Sequence, residues 1–175
     1  MALTANLVPS QVPFYATPFD AQTAFTAAQT LVATGYLNNL NSGQVDLGGS
    51  NPSSGAGRTN GMWVLDITAV DFSSVDEVYT FHLVASNDAA FGNGNVEQLA
   101  THNFAATAAL RTVATIWGAT PTIPRAGVAG TILQIPFTNL MQCIVYRYLR
   151  CYLVASGTTP SVTVTSWVTM GGTDF

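Results

Sequence analysis

The stretch from Val145 to Met170 constrains the fold more than any other. Val145-Tyr-Arg-Tyr-Leu-Arg-Cys-Tyr-Leu-Val-Ala155 is rich in aromatic and β-branched residues, which suit a pleated, half-buried surface. After Ser156-Gly-Thr-Thr-Pro160, residues Val162, Val164, Ser166 and Val168 alternate with Thr163, Thr165, Trp167 and Thr169. A period of two belongs to a strand whose faces see different surroundings. Gly157 permits a positive φ, and Pro160 fixes φ and donates no ladder hydrogen bond, so the link between the runs is a turn. The expectation is a hairpin of two long strands.

Similar texture recurs upstream. Gln44 to Leu47 reads as a short strand. Trp63, Leu65, Ile67 and Ala69 share one face of a strand over Trp63–Val70. Tyr79, Phe81 and Leu83 share one face of Val78–Ala85, and Asp71 to Asp76 turns the chain between these two runs. Ser86 to Asn95 is a long turn whose Phe91 is expected to fold back onto the core. Val96–Phe104, Leu110–Trp117 and Gly130–Phe137 bring the series to about eight short strands, spaced as in an all-β sandwich or barrel. No strand–helix alternation appears, so a parallel α/β sheet is not supported.

The N-terminus differs. Pro9, Pro13 and Pro18 forbid a helix over Met1–Asp20 and suit an extended arm. Leu7, Val8, Phe14, Tyr15 and Phe19 are apolar side chains on that arm, and they are the candidate partner contacts. Ala21–Leu31, with Asp20 as N-cap, predicts a short helix. The organisation read from the sequence is thus an arm over residues 1–42 and a β-sandwich over 43–175.

Composition now sharpens the question of partners. Charged residues make up 8% of the chain against 48% hydrophobic, and all five basic residues are arginine. A typical soluble domain carries roughly 25% charge. A surface so poor in charge is weakly protected against association, so cover by further copies of the chain or by another protein is expected. The net charge of −4, with scattered arginines, argues against nucleic acid. Arg147 and Arg150 are three apart, which on one strand sets them on opposite faces. No apolar run reaches the ~18 residues of a membrane span, and no secretory signal opens the chain. Cys143 and Cys151 are therefore expected as two buried free thiols rather than a disulfide.

Motifs for chemistry are weak. Gly48 to Gly57 is glycine-rich but has no Lys and no following helix, so it is a surface loop rather than a phosphate cradle. His82 and His102 are the two histidines. No nucleophile elbow marks a serine for them, and nothing links Cys143 to either. The cysteine spacing does not suit zinc. Asp88, Asn93, Asn95 and Glu97 offer oxygen atoms without the full calcium-loop pattern. Asp76-Glu77 is the one adjacent carboxylate pair, at a strand entrance where a solvated turn explains it. Trp63, Trp117 and Trp167 could stack on sugar rings, although strand tryptophans more often belong to a core. No catalytic residue, cofactor or metal is assigned.

An ordered series of pieces resembles one family. These are Val45-Asp-Leu-Gly48, Met62-Trp-Val-Leu-Asp-Ile67, Glu77-Val-Tyr-Thr-Phe-His-Leu-Val-Ala-Ser-Asn-Asp-Ala-Ala-Phe91 and the run from Tyr148 to Trp167. Together they resemble the Bbp16-type capsid cement (decoration) proteins of tailed phages, over roughly seven-tenths of the chain. The resemblance implies a jelly-roll-like antiparallel sandwich without catalysis, made in the host cytoplasm and bound as a homodimer or homotrimer to the outer surface of the capsid. The major capsid protein is then the partner, and nucleic acid and membrane are not. The chain departs from the family pattern in its long arm, Met1 to Asn41, and in an insertion around Gly118 to Gly130. The competing reading is a carbohydrate-binding or tail-associated β-sandwich module, which requires an exposed aromatic platform. A hydrolase on a β scaffold is the third, and it requires carboxylates or a histidine-activated nucleophile in one cleft.

Overall fold

The computed structural model describes residues 21–49, 57–74, 76–92, 96–105 and 130–170. Eleven strands run through them: β1 (Ala24–Leu31), β2 (Gly35–Tyr36), β3 (Gln44–Asp46), β4 (Asn60–Val70), β5 (Val78–Ser86), β6 (Glu97–Ala105), β7 (Thr131–Thr138), β8 (Leu140–Met141), β9 (Ile144–Val145), β10 (Tyr148–Ser156) and β11 (Val162–Met170). Apart from one 3-10 turn at Asn41–Gly43, no helix occurs among the described residues.

β1-β11-β4-β7 form a four-stranded sheet, and β2-β10-β5-β6, with β3 also on β10, form a five-stranded one. The antiparallel pairs nest: β1 with β11, β2 and β3 with β10, β4 with β7, β5 with β6. Successive pairs alternate between the sheets, which is the winding of a jelly roll. Trp63, Leu65, Ile67, Val162, Val164 and Val168 from one sheet meet Tyr79, Phe81, Leu83, Phe104, Leu149 and Leu153 from the other in a single core. Each such side chain contributes about 1.5–3 kcal/mol by leaving water. Two polar groups inside are accommodated locally. Trp63 Nε1 donates to Ser166 Oγ at 3.0 Å, and the fully buried Cys151 thiol is pushed above its ordinary pKa by burial, with Ser166 and Trp63 partly offsetting this.

The structure overturns the hairpin. β10 and β11 are strands where composition and alternation placed them, but they lie in different sheets. Their inward residues face each other across the core, so the Gly157–Ser161 connection is an arch. Alternation fixes which face of a strand is buried but not which strand lies beside it. Gly157 turns the chain at φ 113°, and a Cβ there would lie 2.7 Å from Glu77 Cα. Tyr79 then ties this arch to the neighbouring β4–β5 connection. Its hydroxyl donates to Asp71 O at 2.7 Å and accepts from Ser161 N at 2.9 Å.

The expected helix over Ala21–Leu31 is strand β1. Phe25 and Leu31 enter the core, and Ala24, Thr26 and Gln29–Leu31 pair with β11. Burial against a sheet outweighs the modest helix preference of alanine, and Ala28 sits in a bulge at φ 49°. The sandwich therefore takes in β1 and β2, from the stretch read as arm. In β4 a register shift opposite Thr163 and Val164 turns Ala69 out to solvent, away from the face of Trp63 and Leu65. The candidate arm contacts Leu7, Val8, Phe14, Tyr15 and Phe19, the strand expected over Leu110–Trp117 and the insertion around Gly118 to Gly130 (except its last residue) lie outside the described residues.

Candidate binding face

The outward positions of the five-stranded sheet carry a cluster of polar and aromatic side chains joined by ring contacts and hydrogen bonds. Along β10, Leu149, Cys151 and Leu153 point inward, so Tyr148, Arg150 and Tyr152 point outward. Register brings their neighbours: Tyr36 of β2 and His82 of β5 flank Tyr152, Gln44 of β3 flanks Arg150, and Asp46 flanks Tyr148. Phe91 arrives from the β5–β6 loop. Asp88 accepts the Ala90 and Gly92 N–H groups at 2.9 and 3.0 Å, which curls the loop and leaves Phe91 at φ 52°. A left-handed non-glycine residue is uncommon, and here it turns the ring back over the sheet. Phe91 does fold back, then, but onto the outer face rather than the core.

Arg150 is held between two rings. Its guanidinium carbon lies 4.6 Å from the Phe91 centroid and 5.3 Å from that of Tyr36, within cation–π range. Nη2 donates to Gln44 Oε1 at 3.0 Å, while Nε is out of solvent with no acceptor among the described residues. Tyr36 and Tyr152 meet edge to face, centroids 4.8 Å apart at 60°. Arg147 stands just before β10 and so escapes the parity rule. Its guanidinium lies 5.0 Å from the Tyr148 centroid and grips Asp46 with two 2.8 Å bonds. Both arginines thus serve this outer face, contrary to the sequence expectation. The Arg147 bonds, followed by the Gly48 N–H, hold the Asp46 carboxyl below its ordinary pKa. With both side chains more than two-fifths exposed, this pair adds little stability and chiefly fixes position.

Other candidate residues are dispersed. Trp63 is fully buried and Trp167 is 7% exposed, packed with Ala24 and Val64 beyond the four-stranded sheet, so neither offers a platform. Trp117 lies outside the described residues. His82 faces outward, its Nδ1 3.2 Å from Thr101 Oγ1, whereas His102 lies on the inner side beside Phe104. The sheet itself separates the two. Asp76 is a solvated turn residue bonded to Thr158, but Glu77 is fully buried, with Oε1 accepting from Ser74 N and Oε2 without a partner among the described residues. Cys151 is buried as expected. Cys143 is exposed, at φ 66° in the tight turn between β8 and β9. Asn93 and Asn95 lie outside the described residues, and among the described residues no three His, Cys, Asp or Glu side chains are placed to hold a metal ion. No helix among them is long and apolar enough to cross a membrane.

The strand that carries Tyr148, Arg150 and Tyr152 was legible in the sequence from its aromatic and β-branched residues. Tyr36, Gln44 and Phe91 join it only through register and a loop conformation that no local pattern announces. Fold and face together define an all-β jelly-roll sandwich with an arginine set among aromatic rings on one sheet. No protein-family model matches the chain, and no curated protein is significantly similar to it.

Proposed function

We propose that the chain is a structural virion protein, a cement or decoration protein bound as a dimer or trimer to the outside of a tailed-phage capsid. The major capsid protein is its partner, and the reading assigns it no catalysis, cofactor, nucleic acid or membrane. The observation that carries the reading is the outer face of the four-stranded sheet. Asp66 is the one charged side chain at the outward positions of its strands, where Thr30, Thr68, Ile132, Gln134 and Pro136 are exposed. Such a face costs little to desolvate against a partner. Many copies with modest contacts then hold a lattice together through high effective concentration. Leu7, Val8, Phe14, Tyr15 and Phe19 are proposed to anchor each copy.

Cosedimentation with shells of the cognate major capsid protein tests this. The full chain is expected in the pellet, and a chain lacking residues 1–20, with an unchanged melting temperature, in the supernatant. Pelleting of both refutes the role of the arm, and pelleting of neither refutes the capsid reading. Light scattering at two concentrations should give a discrete dimer or trimer; a monomer at both counts against self-assembly.

A further inference from the structure

We propose that the outer face of the five-stranded sheet is a saccharide-binding site for a pyranose bearing a carboxylate, with Tyr36, Phe91 and Tyr152 as its ring platform and Arg150 as its anion anchor. The inference does not rest on the capsid reading, since it concerns the opposite sheet and a different ligand.

A pyranose presents C–H bonds on its faces and hydroxyls around its rim. It therefore asks for aromatic surface bordered by polar groups held in place. Tyr152 lies on the central strand β10, with Tyr36 edge-on at 4.8 Å and Phe91 6.4 Å from Tyr36, so the rings make an angled corner rather than a flat plate. Around them, the Tyr36, Tyr148 and Tyr152 hydroxyls make no hydrogen bond among the described residues, and His82 engages only Nδ1. These are donors and acceptors already positioned for a rim.

The charge of the ligand follows from Arg150. Arg147 is neutralised by Asp46, but no carboxylate among the described residues pairs with Arg150, in a chain of net charge −4. Two rings and Gln44 fix its rotamer, so an arriving carboxylate meets the terminal Nη edge of a pre-organised guanidinium, Nε being out of solvent. Asp88, on the adjoining loop, spends both oxygens on its own backbone. A single uncompensated cation fits a carboxylate better than a row of phosphates. A peptide groove would also need exposed aliphatic anchors, and of the outward aliphatics on β5 and β10 only Val154, at 39%, is exposed, Val84 being covered at 8%.

The test is calorimetric titration of the full chain with oligomers of galacturonate, alginate, hyaluronate and sialic acid. Dextran oligomers supply rings without charge, and polyglutamate supplies carboxylates without rings. At least one acidic glycan should bind with a Kd below about 1 mM, dextran about tenfold more weakly or not at all, and polyglutamate not at all. Arg150→Gln and Tyr152→Ala should each weaken binding about tenfold, while Thr163→Ala, on the other sheet, changes nothing. Phe91→Ala, in a loop, serves should Tyr152→Ala fail to fold. Absence of binding by all four acidic glycans, equal binding of polyglutamate or dextran, or no effect of Arg150→Gln and Phe91→Ala would each overturn the proposal.

Discussion

Replacing Asn139 with alanine should destabilise the fold far more than its small size suggests. Asn139 is fully buried between β7 and β8. Its Nδ2 donates to Gly57 O at 2.6 Å and Tyr146 O at 2.7 Å, and its Oδ1 accepts the Thr59 N–H at 2.8 Å. One side chain thus joins the entry to β4 with the segment leading through Arg147 into β10. Alanine keeps the two backbone bonds of residue 139 with Thr59 and Tyr146 but strands one N–H and two carbonyls. At about 1 kcal/mol net for each lost bond the cost is about 3 kcal/mol, falling toward about 2 kcal/mol where water enters. For a chain of this length that lowers the melting temperature by about 6–12 °C. Urea and thermal melts measure both numbers. A drop under about 2 °C would refute the view that this amide joins the two segments. Asn139→Asp adds a directional check: it sets carboxylate oxygens against two carbonyls, so the folded-state pKa of the acid is raised. Its stability contribution is then present below about pH 4 and lost as pH rises, so the variant should suffer more at pH 7 than at pH 4.

Three further outcomes are expected. Ellman titration of the native protein should count one reactive thiol, exposed Cys143, and a second only after denaturation, because Cys151 is buried with its pKa raised; two thiols at once in the native state would contradict the core. Asp46, Asp71, Asp76 and Asp88 all have pKa values lowered from 3.8 by hydrogen bonds, so their contribution is present above that value and lost as pH falls through the depressed ones. The melting temperature should therefore fall most steeply below about pH 4, and a fall centred between pH 5 and 6 would point to other groups. Gly157→Ala should destabilise more than Gly48→Ala in denaturant melts, since both require positive φ but only the Cβ at residue 157 meets backbone, 2.7 Å from Glu77 Cα; equal effects would remove the arch contact.

Strand content was largely readable, because period two survives in sequence wherever one face is buried. Tyr79, Phe81 and Leu83 inside with His82 outside, and Val162 through Val168 inside with the threonines outside, follow from alternation alone. Partnership was not readable. Whether β11 lies beside β10 or across the core from it depends on the geometry of Gly157–Ser161 and on strands more than a hundred residues away. β1 was misread because its residues favour neither state strongly, so the sheet beside it decides. The binding face divides along the same line: the strand that carries Arg150 was legible, and the rings that enclose it came from elsewhere in the chain.

The nesting of β1 against β11 also sets a clock. The Ala28 N–H bonds to Thr165 Oγ1 across 137 residues of chain, whereas β5 and β6 pair through a local loop. At about 5–20 residues per second on the ribosome, β1 waits roughly 7 to 30 seconds for its partner to be made. Over that interval the β1 ladder groups that pair with β11 stay open, although Phe25 O and the Ala27 backbone already have partners in Leu40 and Asn39, while the innermost pair is already assembled. Among the described strands, β1 therefore waits longest with an open edge, and a chaperone or a neighbouring chain can meet it there.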